Sequence, residues 1–67
     1  MENMYFAYNS DSGCSSDILC IIEDGRGFYL DWDNTWKEDP CVLQWAKDRS
    51  RVREMLKEDL MMEKSVT

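Results

Sequence analysis

Asp24-Gly25, set between two runs of β-forming residues, constrains this chain more than any other feature. The two-residue hairpin turn that matches the twist of its strands needs positive φ at both central positions, and Asp-Gly supplies it at low cost. Asp17 to Glu23 and Arg26 to Asp33 are therefore read as paired antiparallel strands. The turn sets the register: Glu23 faces Arg26, Ile21 faces Phe28 and Leu19 faces Leu30. Side chains alternate along a strand, so one sheet face carries Leu19, Ile21, Phe28, Leu30 and Trp32. A slip of one residue would scatter that apolar set. The other face mixes Ile18, Cys20 and Ile22 with Tyr29, Asp31 and Asp33. It is either covered in part by another strand or open for contact. Gly27 is a candidate bulge.

Met4-Tyr5-Phe6-Ala7-Tyr8 is aromatic and reads as a third strand, followed by a loop over 9–16 rich in Ser, Asp, Asn and Gly. Asp39-Pro40 marks a helix entry, with Asp39 as N-cap and proline at the first helical position. Thr35 with Glu38 also fits a capping box, but a helix begun there would enclose Pro40, so Thr35 is assigned to a short preceding turn. Val42, Trp45, Ala46, Val52, Leu56 and Leu60 follow helical spacing, with a gap at Lys47-Asp48-Arg49-Ser50-Arg51. One helix ending near Glu63 is expected, with a kink or break in the gap as the alternative. The predicted fold class is α+β: a three-stranded antiparallel sheet packed against one C-terminal α-helix.

At 67 residues the chain has room for one small domain, with the sheet over about 4–33 and the helix over about 40–63. Three Trp, three Tyr and two Phe within an apolar fraction of 43% supply a core, which separates it from disordered acidic chains. No deep two-lobed pocket fits in this length, so function is expected on an outer surface. The start, Met1-Glu2-Asn3, lacks the basic character of a secretory signal, and Ile18 to Ile22 is too short to span a bilayer. A cytoplasmic location is the resulting expectation. Cys14, Cys20 and Cys41 are odd in number, lack C-x-x-C spacing and have no His to join them. They read as reduced thiols rather than zinc ligands, with an exposed Cys14 able to bridge two chains on oxidation.

Phe28-Tyr29-Leu30-Asp31-Trp32-Asp33-Asn34-Thr35 resembles the first motif of the haloacid-dehalogenase-type phosphotransferases, an apolar strand ending in D-x-D-x-T. The resemblance would make Asp31 a nucleophile and Asp33 a general acid. It covers eight residues. The family also needs a doubly wound parallel sheet, a later Lys and further carboxylates for Mg²⁺, which the remaining residues cannot supply. Asp31-x-Asp33 starts like a calcium loop, but Trp36 stands where that loop needs Gly and Val42 where it needs Glu. Gly25-x-Gly27 opens no helix and is turn chemistry, not a phosphate cradle. With no His and no activated nucleophile in view, no enzyme activity, cofactor or metal is expected.

Charge is the remaining clue. Residues 1–40 carry nine acidic and two basic side chains, and residues 41–67 five and six, so a segment at −7 precedes one at +1 in a chain of net −6. Lys47, Arg49, Arg51 and Arg53 could suit nucleic acid, but Asp48 and Glu54 interrupt them, and local ion pairing is the preferred reading. The acidic part suits a positively charged partner. Asp31 and Asp33 on one strand face would stand ~6.5–7 Å apart, comparable to successive phosphates. Glu23, Asp24, Glu38 and Asp39 would extend the row, with Tyr29 and Trp36 as aromatic anchors. The expected function is an acidic protein-binding module that occupies a basic, nucleic-acid-binding surface of another protein. In size and charge it looks like the small inhibitors that bacteriophages and mobile elements direct at host enzymes. The competing expectation is a homo-oligomer formed through Val52, Met55, Leu56, Leu60 and Met61, with Met62 also on the leftover apolar helix surface. A third possibility is that the acids only keep the chain soluble.

Overall fold

The computed structural model describes residues 2–9 and 17–66. In chain order the elements are β1 (Met4–Tyr8), β2 (Ile18–Glu23), β3 (Arg26–Leu30), β4 (Trp36–Glu38), α1 (Cys41–Trp45), β5 (Val52–Glu54) and α2 (Lys57–Val66). The class is α+β, with one antiparallel sheet in the order β4-β3-β2-β1-β5. The expected three strands are its centre. The expected loop at 10–16, with Cys14, lies outside the described residues.

The hairpin register is the one the turn dictates: Glu23 opposes Arg26 and Ile21 opposes Phe28. Asp24 and Gly25 both have positive φ, 56° and 75°. Gly27 is no bulge. It pairs with Ile22, and its bare backbone lets α1 approach closely.

Alternation along the strands builds two cores, one on each face. Phe6, Tyr8, Cys20 and Ile22 are buried with Val42 of α1. Ala7, Leu19 and Ile21 are buried with Leu60 of α2, and Phe28 and Leu30 pack beside them. The second cluster is the apolar face expected from the hairpin, covered by a C-terminal helix. The first is the mixed face, and α1 closes it: the Trp45 ring stacks on Tyr8 with centroids 5.0 Å apart and planes 4° from parallel.

Three expectations are corrected. The single helix over 40–63 is two helices with β5 between them, because Lys47 to Arg51 offers no apolar side chain to a buried stripe. The chain turns there instead, with the Arg51 amide donating to the Asp48 carbonyl, and Val52 returns to the α1 side opposite Tyr8. Trp32 does not extend the apolar face, since β3 stops at Leu30 and the ring is 93% exposed. Residues 36–38, expected to lead into the helix, form β4, with Trp36 opposite Leu30. The helix entry itself is close to the expected place: the Cys41 amide donates to Asp39 Oδ1 at 2.9 Å.

Candidate functional site

The eight acidic and aromatic residues expected to form one row fall into four places. Glu23, Asp24, Glu38 and Asp39 lie at the end of the sheet where β2 turns into β3, since Phe28 opposes Glu38 and β4 runs back toward that turn. Asp31 and Asp33 lie at the other end of β3. Five strand residues, about 16 Å, separate the two groups. Tyr29 and Trp36 are in neither group. Tyr29 packs beside Trp45 on the α1 face, centroids 6.2 Å apart, and Trp36 joins the α2 face with Lys64 over its ring. As anchors for a partner they are largely occupied by the protein's own core.

Several carboxylates are also held by the chain itself. Glu23 Oε2 accepts the Tyr5 hydroxyl at 2.7 Å and lies 3.5 Å from Lys57 Nζ. That hydroxyl, seconded by Lys57, keeps the Glu23 carboxyl below the usual glutamate range and pushes Tyr5 upward. Glu38 receives a two-pronged contact from Arg26, at 2.6 and 2.9 Å, which lowers its pKa. The Asp39 carboxylate accepts the Cys41 amide and raises the pKa of the exposed Cys41 thiol, so nothing activates that sulfur as a thiolate.

The segment from Asp31 to Thr35 is where the structure departs most from the sequence reading. The strand ends before it, so the spacing of an extended chain does not apply to Asp31 and Asp33. A tight loop forms instead: the Asp31 amide donates to the Thr35 carbonyl and the Asn34 amide to the Asp31 carbonyl, both at 2.9 Å. Asn34 takes the left-handed conformation, φ 67°, which asparagine tolerates better than most residues. Asp31 Oδ1 accepts the Trp32 amide at 2.8 Å. Asp33 Oδ1 accepts both the amide and the hydroxyl of Thr35, at 3.2 and 2.6 Å, while its Oδ2 lies 3.5 Å from Lys37 Nζ. The Thr35 hydroxyl, then the amide and Lys37, hold the Asp33 pKa low. The D-x-D-x-T residues thus supply the chemistry of an Asx-type turn.

Trp32 is the residue that sequence reasoning misplaced. Strand alternation carried two residues too far puts it in the core. The neighbouring Asp-x-Asp-Asn-Thr, a cluster of turn formers, was the signal that the strand had ended. What results is an indole on a hydrogen-bonded tip between two carboxylates.

The basic cluster pairs locally, though on β5 and the turn before it rather than on a helix: Arg49 with Glu54 at 3.0 Å and Arg51 with Asp48 at 3.7 Å. Arg53 reaches Asp17 and Glu63. Among the described residues no charged side chain is buried, and no group of three Cys, Asp or Glu converges as a metal site. Among the described residues no helix is long and apolar enough to cross a membrane. No protein-family model, curated protein or solved structure matches the chain.

Proposed function

We propose that this protein is a binding module that docks on a basic surface of another protein, with the β3–β4 tip as its leading contact. The observation that carries the reading is Trp32, 93% exposed on a loop held by hydrogen bonds on both sides. Tryptophan is among the side chains that concentrate binding energy at interfaces, and a pre-ordered tip loses little entropy when it inserts. Asp31 and Asp33 flank the ring, the chain carries a net −6 charge, and no described charged side chain is buried. That field favours a partner rich in Lys and Arg, such as a cytoplasmic nucleic-acid-processing enzyme whose binding surface the module would occupy. The reading does not use a phosphate-spaced row of acids.

The homo-oligomer reading has less support. Leu60 is buried, Met55 and Met61 pack on the sheet, and Val52 faces the opposite side. Of the proposed interface set, Leu56 and Met62 are well exposed.

The test is capture of binding proteins from the source cells by the intact protein, compared with Trp32→Ala and with Asp31→Lys/Asp33→Lys. A specific partner should be lost from both variants and released by salt, with Trp32→Ala weakening a purified partner by roughly thirtyfold, about 2 kcal/mol. DNA or heparin should compete with the module. A partner retained equally by both variants would end the proposal.

A further inference from the structure

An open groove runs between α2 and the β5 side of the sheet, and neither the proposed tip contact nor the core accounts for it. Its apolar lining is Leu19, Met55, Leu56 and Met62. Leu56 and Met62 are each 64% exposed, although both belong to residue types usually withdrawn from water. The same lining carries the carboxylates Asp17, Glu54, Asp59 and Glu63 against a single cation, Arg53. Arg53 reaches two of these acids, 3.8 Å from Asp17 and 3.5 Å from Glu63.

We infer that this groove docks a basic amphipathic helix of another protein. A groove lined by apolar side chains and four carboxylates is complementary to a helix with an apolar stripe and Lys or Arg beside it. Methionine side chains adapt to the shape of such an apolar stripe. Arg53 stands where the incoming cations would pair, as the chain's own substitute for them. A second copy of this protein is the poorer occupant. A two-fold contact sets the patch against itself, so four carboxylates and one cation would face a surface of the same net sign.

The probe is a synthetic Leu/Lys helix-forming peptide of about four turns, with a twin in which every Lys is Glu. Binding is measured by fluorescence anisotropy with the whole protein, and circular dichroism checks that each variant is folded. The Lys peptide should bind, weaken with salt, and outbind its Glu twin. Leu56→Asp and Met62→Glu should each cost at least about tenfold. Arg53→Gln should tighten binding a few-fold by freeing Asp17 and Glu63, and Trp32→Ala should leave it unchanged. No binding by the unaltered protein, equal binding of the twin, or undiminished binding by the groove variants overturns the inference. So does equal weakening by Trp32→Ala, or a dimer in light scattering that Met62→Glu separates. A failed tip contact with an intact groove, or the reverse, tells the two proposals apart.

Discussion

Gly27 sits directly beneath Val42, so close that a Cβ built on the glycine would lie 2.7 Å from the Val42 Cβ. The same Cβ would meet the Asp39 carbonyl oxygen at 3.2 Å. A helix can rest on β3 at this depth only where β3 has no side chain. Gly27→Ala should therefore destabilise the protein by roughly 1–3 kcal/mol, as overpacking does. Val42→Gly, which removes the opposing Cβ together with the methyls, should cost more, through lost burial and the poor helix propensity of glycine. The double variant should be more stable than the sum implies, and urea unfolding of the four proteins would show it. Strict additivity would mean that α1 does not rest on Gly27.

The two leucines of the α2 region should behave very differently. Leu60 is fully buried against Ala7, Leu19 and Ile21, whereas Leu56 is 64% exposed. Leu60→Ala should cost about 2–5 kcal/mol and Leu56→Ala within about 0.5 kcal/mol. Thermal or urea melts decide the matter, and similar losses at both positions would contradict the way α2 is seated.

Acid should weaken the fold through a small set of carboxylates. Glu23, Asp33 and Glu38 all have pKa values lowered in the folded state, by Tyr5, Thr35 and Arg26 respectively. A lowered folded pKa contributes stability that is complete above the unfolded pKa and lost as pH falls through the folded one. Stability should thus be level near neutrality and decline once pH drops below the ordinary carboxylate range, about 4. Asp33 and Glu38 are solvent-exposed and Glu23 is only partly buried, so the decline should be shallow. The triple variant Glu23→Gln, Asp33→Asn, Glu38→Gln should flatten the acid limb of a stability-versus-pH curve. An unchanged limb would place the acid sensitivity elsewhere.

Cysteine labelling reads the α1-side core directly. Cys20 is fully buried, its thiol donates to the Ile18 carbonyl at 3.4 Å, and burial pushes its pKa up to about 12. Cys41 is exposed. In a Cys14→Ser background, a thiol reagent near pH 8 should modify Cys41 in the native protein and reach Cys20 only on unfolding. Native labelling of Cys20 at the Cys41 rate would mean that the α1-side core is open.

What could be read in advance follows the range of the interactions involved. The Asp24-Gly25 turn, its register and the Leu19, Ile21, Phe28, Leu30 face depend on neighbours and on a period of two, so they stand in the sequence. So does the helix entry after Asp39. The expected row of eight residues came apart because the hairpin turn and Asp31 lie at opposite ends of β3, while Tyr29 and Trp36 join opposite faces of the sheet. Asp31 to Thr35 satisfies its own backbone groups in a loop, which leaves Trp32 outside and brings Trp36 back against Leu30. The groove escaped notice because Asp17, Arg53 and Glu63 are distant in the chain and meet only when β5 joins the sheet.

By itself the sequence determined the central hairpin, the two-faced pattern of its strands and the chain's acidic excess. Turn chemistry and alternation act over a few residues and need no distant partner. Tertiary structure alone decided that 36–38 and 52–54 become edge strands. Three residues carry too little periodicity to be strands on their own and become so only by hydrogen bonding to β3 and β1. It also decided that the C-terminal stripe divides between two faces: the sheet offers an apolar surface on each side, and one straight helix can cover only one of them.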